Sequence, residues 1–112
     1  PIGGALAVFA GRWKPEILWH LKDQPLRFNQ LLRAIGGVSQ KMLTQQLRQL
    51  ERDGLIIRTQ YPQIPPRVEY TCTQLADSLS PIFEALETWN QTHRQSISKA
   101  QQTYDKPQKQ LV

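Results

Sequence analysis

The residues with the most chemical potential in this sequence sit on one predicted helix. Gln40, Lys41, Thr44, Gln45 and Arg48 recur at i, i+1, i+4, i+5 and i+8, which places them on one side of an α-helical cylinder. Gln40 and Gln45 bring amides, Thr44 a hydroxyl, and Lys41 and Arg48 positive charge. No acid occurs between Gln24 and Leu50, although Arg27, Arg33, Lys41 and Arg48 all lie there. An ordinary solvated helix mixes charge signs. A face of long donors and amides that excludes carboxylates suits hydrogen bonding to base edges in a major groove, close to phosphates. Ser39, at the head of the same helix, belongs to the set. The competing reading is a plain soluble face.

A second group follows a stretch that cannot be a central strand. "YPQIPPRVEYTCT", residues 61 to 73, carries Pro62, Pro65 and Pro66, and proline cannot donate to a sheet ladder. Val68, Tyr70 and Cys72 then alternate with Glu69 and Thr71, which predicts a strand with Cys72 on its inward side. Pro65, Pro66 and Arg67 therefore form a stiff loop ending in a cation. A guanidinium there suits a narrow, electronegative minor groove; the competing reading pairs Arg67 with Glu69. Arg27, Asn29 and Arg33 are candidates for the nucleic-acid backbone. For Arg12 and Lys14, near a helix start, phosphate contact and simple solvation weigh evenly.

Other chemistry is not supported. No carboxylate pair, Ser/His/Asp set or phosphate-cradling glycine loop suggests an enzyme. The lone Cys72 excludes an intramolecular disulfide, and with His20 and His93 far apart no metal-ligand cluster is visible. Cys72 reads as a small core residue, the two histidines as packing or surface residues, and Trp13 and Trp19 as core. No cofactor is expected. The net charge of +5 favours an anionic partner. No apolar run approaches the roughly 20 residues that span a bilayer, and no signal peptide is visible, so a cytoplasmic location is expected. The chain opens on Pro1 rather than Met, which leaves open a native segment upstream.

These residues require elements to hold them. The 112 residues suggest one domain over 1–104, with a frayed tail over 105–112. Ala5, Leu6, Val8 and Phe9 suit a short helix ended by Gly11, and Pro15 fits the first turn of the next, which buries Ile17, Leu18 and Leu21. Asn29 is expected to cap a helix with Leu31, Leu32 and Ile35 inward, stopped by Gly36–Gly37. Val38 packs inward. Ser39 caps the helix over 39–53, whose apolar stripe is Leu43, Leu47 and Leu50. Asp53–Gly54 closes it. Two strands around the proline loop, at 55–61 and 68–72, make a hairpin. Thr73 then caps a long helix bearing Leu75, Leu79, Ile82, Phe83, Leu86 and Trp89, and Pro81 should interrupt it near Asp77. Helix-turn-helix followed by a β-hairpin is a winged helix, mainly α with a small β element, and residues 61–68 are its wing. Part of the last stripe exceeds what a thin domain covers. Leu6, Phe9, Leu79, Ile82, Phe83, Leu86 and Trp89 are therefore assigned to contact with a second copy.

"GRWKPEILWHL", "LRFNQLLRAIGGVSQKMLTQQLRQLERDGLIIRTQYPQIPPRVEYTCT" and "LSPIFEALETW" resemble the HxlR family of bacterial winged-helix transcriptional regulators, related in fold to MarR regulators. The resemblance covers roughly residues 1 to 90. It implies a homodimer on a pseudo-palindromic double-stranded DNA operator. The chain departs from the family in having Ala10-Gly11-Arg12-Trp13 where Gly-Gly-Lys-Trp is frequent, and Ala76 where glycine is frequent. Several redox-sensing members carry a cysteine just before the proline matching Pro1, a position this sequence does not include. The rival function is a protein-interaction module built on the same fold, without DNA specificity. The operator, the genes, the sign of regulation and any small-molecule or redox signal are not legible.

Overall fold

The computed structural model describes residues 1–107. The first compact unit spans Pro1–Ser78 and the second begins at Leu79. In the first unit, helix α1 (Ile2–Phe9) is followed by Gly11 and then α2 (Lys14–Leu21), with Pro15 in the first turn. Ile17, Leu18 and Leu21 are buried, and they define the inner face of α2. Trp19 stands about 200° from Ile17 around the helix. It is accordingly 56% exposed instead of core, with the Lys22 ammonium 3.4 Å from its ring centroid. Trp13 is half-buried beneath the Arg12 guanidinium, 4.5 Å from its ring centroid.

Helix α3 (Phe28–Ile35) starts two residues earlier than an Asn29 cap would require. Arg27 occupies the cap position, and its N–H donates to Gln30 Oε1 at 2.8 Å. Asn29 is thus a first-turn residue, because the Gln30 side chain satisfies the entry donor that an asparagine cap would otherwise leave to solvent. Gly36 and Gly37 take φ of +68° and +75°, the left-handed conformation that glycine adopts without a Cβ penalty. That reversal aims the chain into α4 (Gln40–Arg52). The Ser39 hydroxyl accepts from Met42 N–H at 3.0 Å, completing the expected cap. Leu43, Leu47 and Leu50 lie at 0%, 3% and 0% exposure, so the apolar stripe of α4 is its anchoring face.

Strands β1 (Ile56–Tyr61) and β2 (Arg67–Cys72) pair antiparallel, from Ile56 opposite Cys72 to Tyr61 opposite Arg67. The hairpin loop is Pro62 to Pro66. On β2 only Tyr70 is buried; Val68 and Cys72 are half-buried, as are Glu69 and Thr71. Tyr70 is also where a third strand fragment joins: Tyr70 and Leu26 exchange backbone bonds of 2.8 and 3.1 Å. A single bridging residue has no periodicity, so the sequence carries no sign of it.

Thr73 caps a single turn, α5 (Gln74–Asp77), accepting from Ala76 N–H while its hydroxyl donates to Gly54 O at 2.7 Å. The helix breaks there as expected, because Pro81 lacks an N–H and would clash with the Asp77 carbonyl. The second unit contains α6 (Ser80–Asp105), with Pro81 in its first turn. Ile82, Leu86 and Trp89 are 44%, 54% and 55% exposed, so this stripe is largely open within one chain. Of the expected tail over 105–112, Asp105 ends α6, and residues 108–112 lie outside the described residues.

Candidate nucleic-acid interface

The outward side of α4 follows from the inward one. With Leu43, Leu47 and Leu50 fixed in the core, Gln40, Lys41, Gln45 and Arg48 are exposed and Thr44 is half-buried. These five, together with Phe28 and Gln49, line one open depression. Phe28 and Gln49 were not singled out from sequence. Gln49 continues the polar series at i+9 from Gln40, a signal that was available; Phe28 reaches the depression from α3 and had none.

The electrostatics of this face are one-signed. Among the described residues the one cation–carboxylate contact within 4.0 Å joins Arg67 and Glu69, so Lys41, Arg48, Arg27 and Arg33 are not neutralised by a carboxylate. Arg27, Asn29 and Arg33 are exposed, the first two at the N-terminal end of α3 and Arg33 in its last turn, before the turn that leads into α4. Lys14 is different. It is 7% exposed, and its ammonium donates to the Ala7 carbonyl at 3.0 Å, in the last turn of α1. This residue closes a helix end that lacks other basic groups. It is not placed to meet phosphate.

Arg67 lies in the strand pair at the base of the wing, not in the loop. Its guanidinium stacks 4.3 Å from the Tyr61 ring centroid, and Nε is 3.8 Å from Glu69 Oε2, too long for a hydrogen bond. That Nε is buried without a hydrogen-bond partner. Pro65 and Pro66 are exposed in the loop itself.

Among the assigned apolar residues, Leu6 is 45% exposed on α1, whereas Phe9 is buried at 8%. Leu79 and Phe83 are half-buried, beside the exposed Ile82, Leu86 and Trp89. Trp89 also meets His93, with ring centroids 5.1 Å apart. Cys72 directs Sγ toward the Leu18 carbonyl at 3.7 Å. Burial first, and the negative charge of Asp77 second, push this thiol up from 9.0 to about 11. It stays protonated at neutral pH, which suppresses nucleophilic and redox reactivity.

A helix-turn-helix followed by a wing, with a polar, acid-free face on its second helix, defines a winged-helix transcriptional regulator. The description "HxlR-like helix-turn-helix" matches residues 8–98, and the chain belongs to that family. It is 48% identical over 90 residues to an uncharacterised HTH-type transcriptional regulator of Halalkalibacterium halodurans, covering 80% of each chain. It is 39% identical over 99 residues to the HTH-type regulator YdeP of Bacillus subtilis, covering 88% of this chain and 77% of that one. Among solved structures, the reduced form of the redox regulator HypR superposes with a TM-score of 0.83 at 37% identity, over 88% of this chain and 98% of that one. The HTH-type regulator YtcD superposes with a TM-score of 0.80 at 42% identity, over 84% and 96%. These relatives are regulators rather than enzymes. No described helix is long and apolar enough to cross a membrane.

Proposed function

We propose that the chain is a homodimeric, sequence-specific regulator that reads double-stranded DNA with the segment 39–53 in the major groove and the wing, 61–68, at the adjacent minor groove. The observation that carries this reading is the exposed α4 face, where Gln40, Lys41, Gln45 and Arg48 stand without a carboxylate partner. Gln45 and Arg48 are assigned to base edges, because a glutamine can engage adenine and an arginine guanine through two hydrogen bonds each. Ser39, Gln40, Lys41 and Thr44 complete the major-groove set. Arg27, Asn29 and Arg33 are assigned to the backbone, and Pro65, Pro66 and Arg67 to the wing.

The functional unit is 1–104, with Leu6 and the α6 stripe facing a second copy. A two-fold pair would set two recognition helices about 34 Å apart on a pseudo-palindromic site. The redox sensing named for one structural neighbour is not assigned to Cys72, whose thiol is held protonated.

Selection of bound duplexes from a random pool tests the reading. Recovery of a two-fold repeat, with affinity falling steeply as salt rises, is the expected outcome. Recovery of no preferred sequence, or binding indifferent to salt, would favour a protein-interaction module on the same fold.

A further inference from the structure

The wing loop is poor in everything that grips phosphate. Pro62, Gln63, Ile64, Pro65 and Pro66 include no charge, and all five are exposed. The three prolines have no N–H to offer. The Gln63 N–H is spent on the Tyr61 carbonyl at 2.9 Å, which leaves Ile64 as the one loop residue with an N–H that makes no bond in this structure. The nearest cation, Arg67, is held where the loop meets the strand pair, over the Tyr61 ring and beside Glu69. At the tip stands Ile64, 100% exposed and followed by Pro65 and Pro66.

We propose that Ile64, supported by Pro65 and Pro66, makes an apolar contact with the deoxyribose walls of the minor groove, so that the tip of the wing contributes shape-dependent rather than charge-dependent affinity. This rests on the assignment of the wing to DNA. Three physical points favour it. The prolines fix φ at three of five positions, so little further entropy is lost on docking. A single side chain standing out from the tip needs far less width than a two-stranded ribbon, and so can enter a minor groove about 6 Å wide while the strands stay outside it. The groove walls are sugar carbon–hydrogen surface, and isoleucine and proline are among the side chains that enter minor grooves elsewhere. A protein partner fits less well: one aliphatic side chain at the end of a narrow loop offers far less than the roughly 800 Å² per partner of a stable protein interface. Arg67 then acts behind the tip, where its stacked guanidinium meets the groove edge.

The test uses the whole chain and a duplex recovered from a random pool by that chain. Affinity is measured across a salt series for the wild type, Ile64→Ala and Arg33→Ala, with hydroxyl-radical footprinting of the sugars. Because Ile64 is fully exposed, Ile64→Ala leaves the fold and thermal midpoint unchanged. Expected for Ile64→Ala is a loss of about tenfold in affinity at every salt concentration, an unchanged salt slope, and renewed cleavage at a short run of minor-groove sugars flanking the major-groove site. Arg33→Ala should instead flatten the slope. Equal binding and an identical footprint for Ile64→Ala, with the wild type still selecting a preferred site, overturns this inference alone. A slope altered by Ile64→Ala overturns it too. A wild type that selects no preferred duplex overturns the parent assignment, and this one with it.

Discussion

Gln45 and Arg48 differ from Arg27 and Arg33 in what their loss removes. The first two line one depression from the middle of α4; Arg27, which caps α3, and Arg33, within α3, do not line it. Gln45→Ala or Arg48→Ala should change preference at particular base pairs by ~1–3 kcal/mol, measured by competition between single-substituted duplexes. Arg27→Ala or Arg33→Ala should weaken all sequences alike and reduce the salt slope by about one unit. Intact preference after both α4 substitutions would show that bases are read elsewhere. Cys72 makes a second prediction. Its folded-state pKa is raised, so its contribution to stability is complete below its ordinary value of 9.0 and is lost as pH climbs toward about 11. Denaturation curves should therefore weaken over that window, and less so in Cys72→Ala. A thiol reagent at neutral pH should label the native chain slowly; rapid labelling would contradict the burial described. The inward side of Cys72 was legible from strand alternation. The stacking of Arg67 on Tyr61 was not, because it depends on register across the hairpin, and sequence distance does not reveal which strand residues face each other.

At the scale of elements, the turn between α3 and α4 is set by conformation and not by space. Apart from the adjacent residues, no atom lies within 4 Å of a Cβ built on Gly36 or Gly37, yet both have positive φ. Gly37→Val should therefore cost ~1–3 kcal/mol, and Gly37→Asn less, since asparagine tolerates that region better. Equal losses for the two, by urea titration, would argue against a purely conformational cause. On α4, Leu47→Ala should cost ~2–5 kcal/mol, because the side chain is 3% exposed and truncation leaves a cavity. These elements were readable because each has a local signal: the Ser39 cap, the glycine stops, the i, i+4, i+7 leucines, and Pro81 breaking the last helix. Asn29 and Trp19 depart from expectation for different reasons. Asn29 lost the cap position to Arg27 because Gln30 satisfied the Arg27 N–H from within the helix. Trp19 is expected in the core but faces away from it, because Ile17, Leu18 and Leu21 define the inner side of α2. Local chemistry predicts which elements form; choosing among equally hydrophobic faces requires the neighbours.

For the molecule as a whole, the open stripe Ile82, Leu86 and Trp89 on α6 leads to an oligomeric prediction. Light scattering at micromolar concentration should report a dimer, and Leu86→Glu should shift it toward monomer without loss of helical signal; a stable wild-type monomer would refute the assignment. Lys14 has a consequence of another kind. Its amine sits on the Ala7 carbonyl and holds the end of α1 to the start of α2. Amine-reactive esters acylate lysines at rates set by access, so Lys14 should be the slowest lysine to acquire a label while α1 is seated, and should become as reactive as Lys22 or Lys41 once α1 lifts away. The labelling rate at that one position would then serve as a clock for the detachment of the N-terminal helix, readable by mass spectrometry in the presence and absence of DNA.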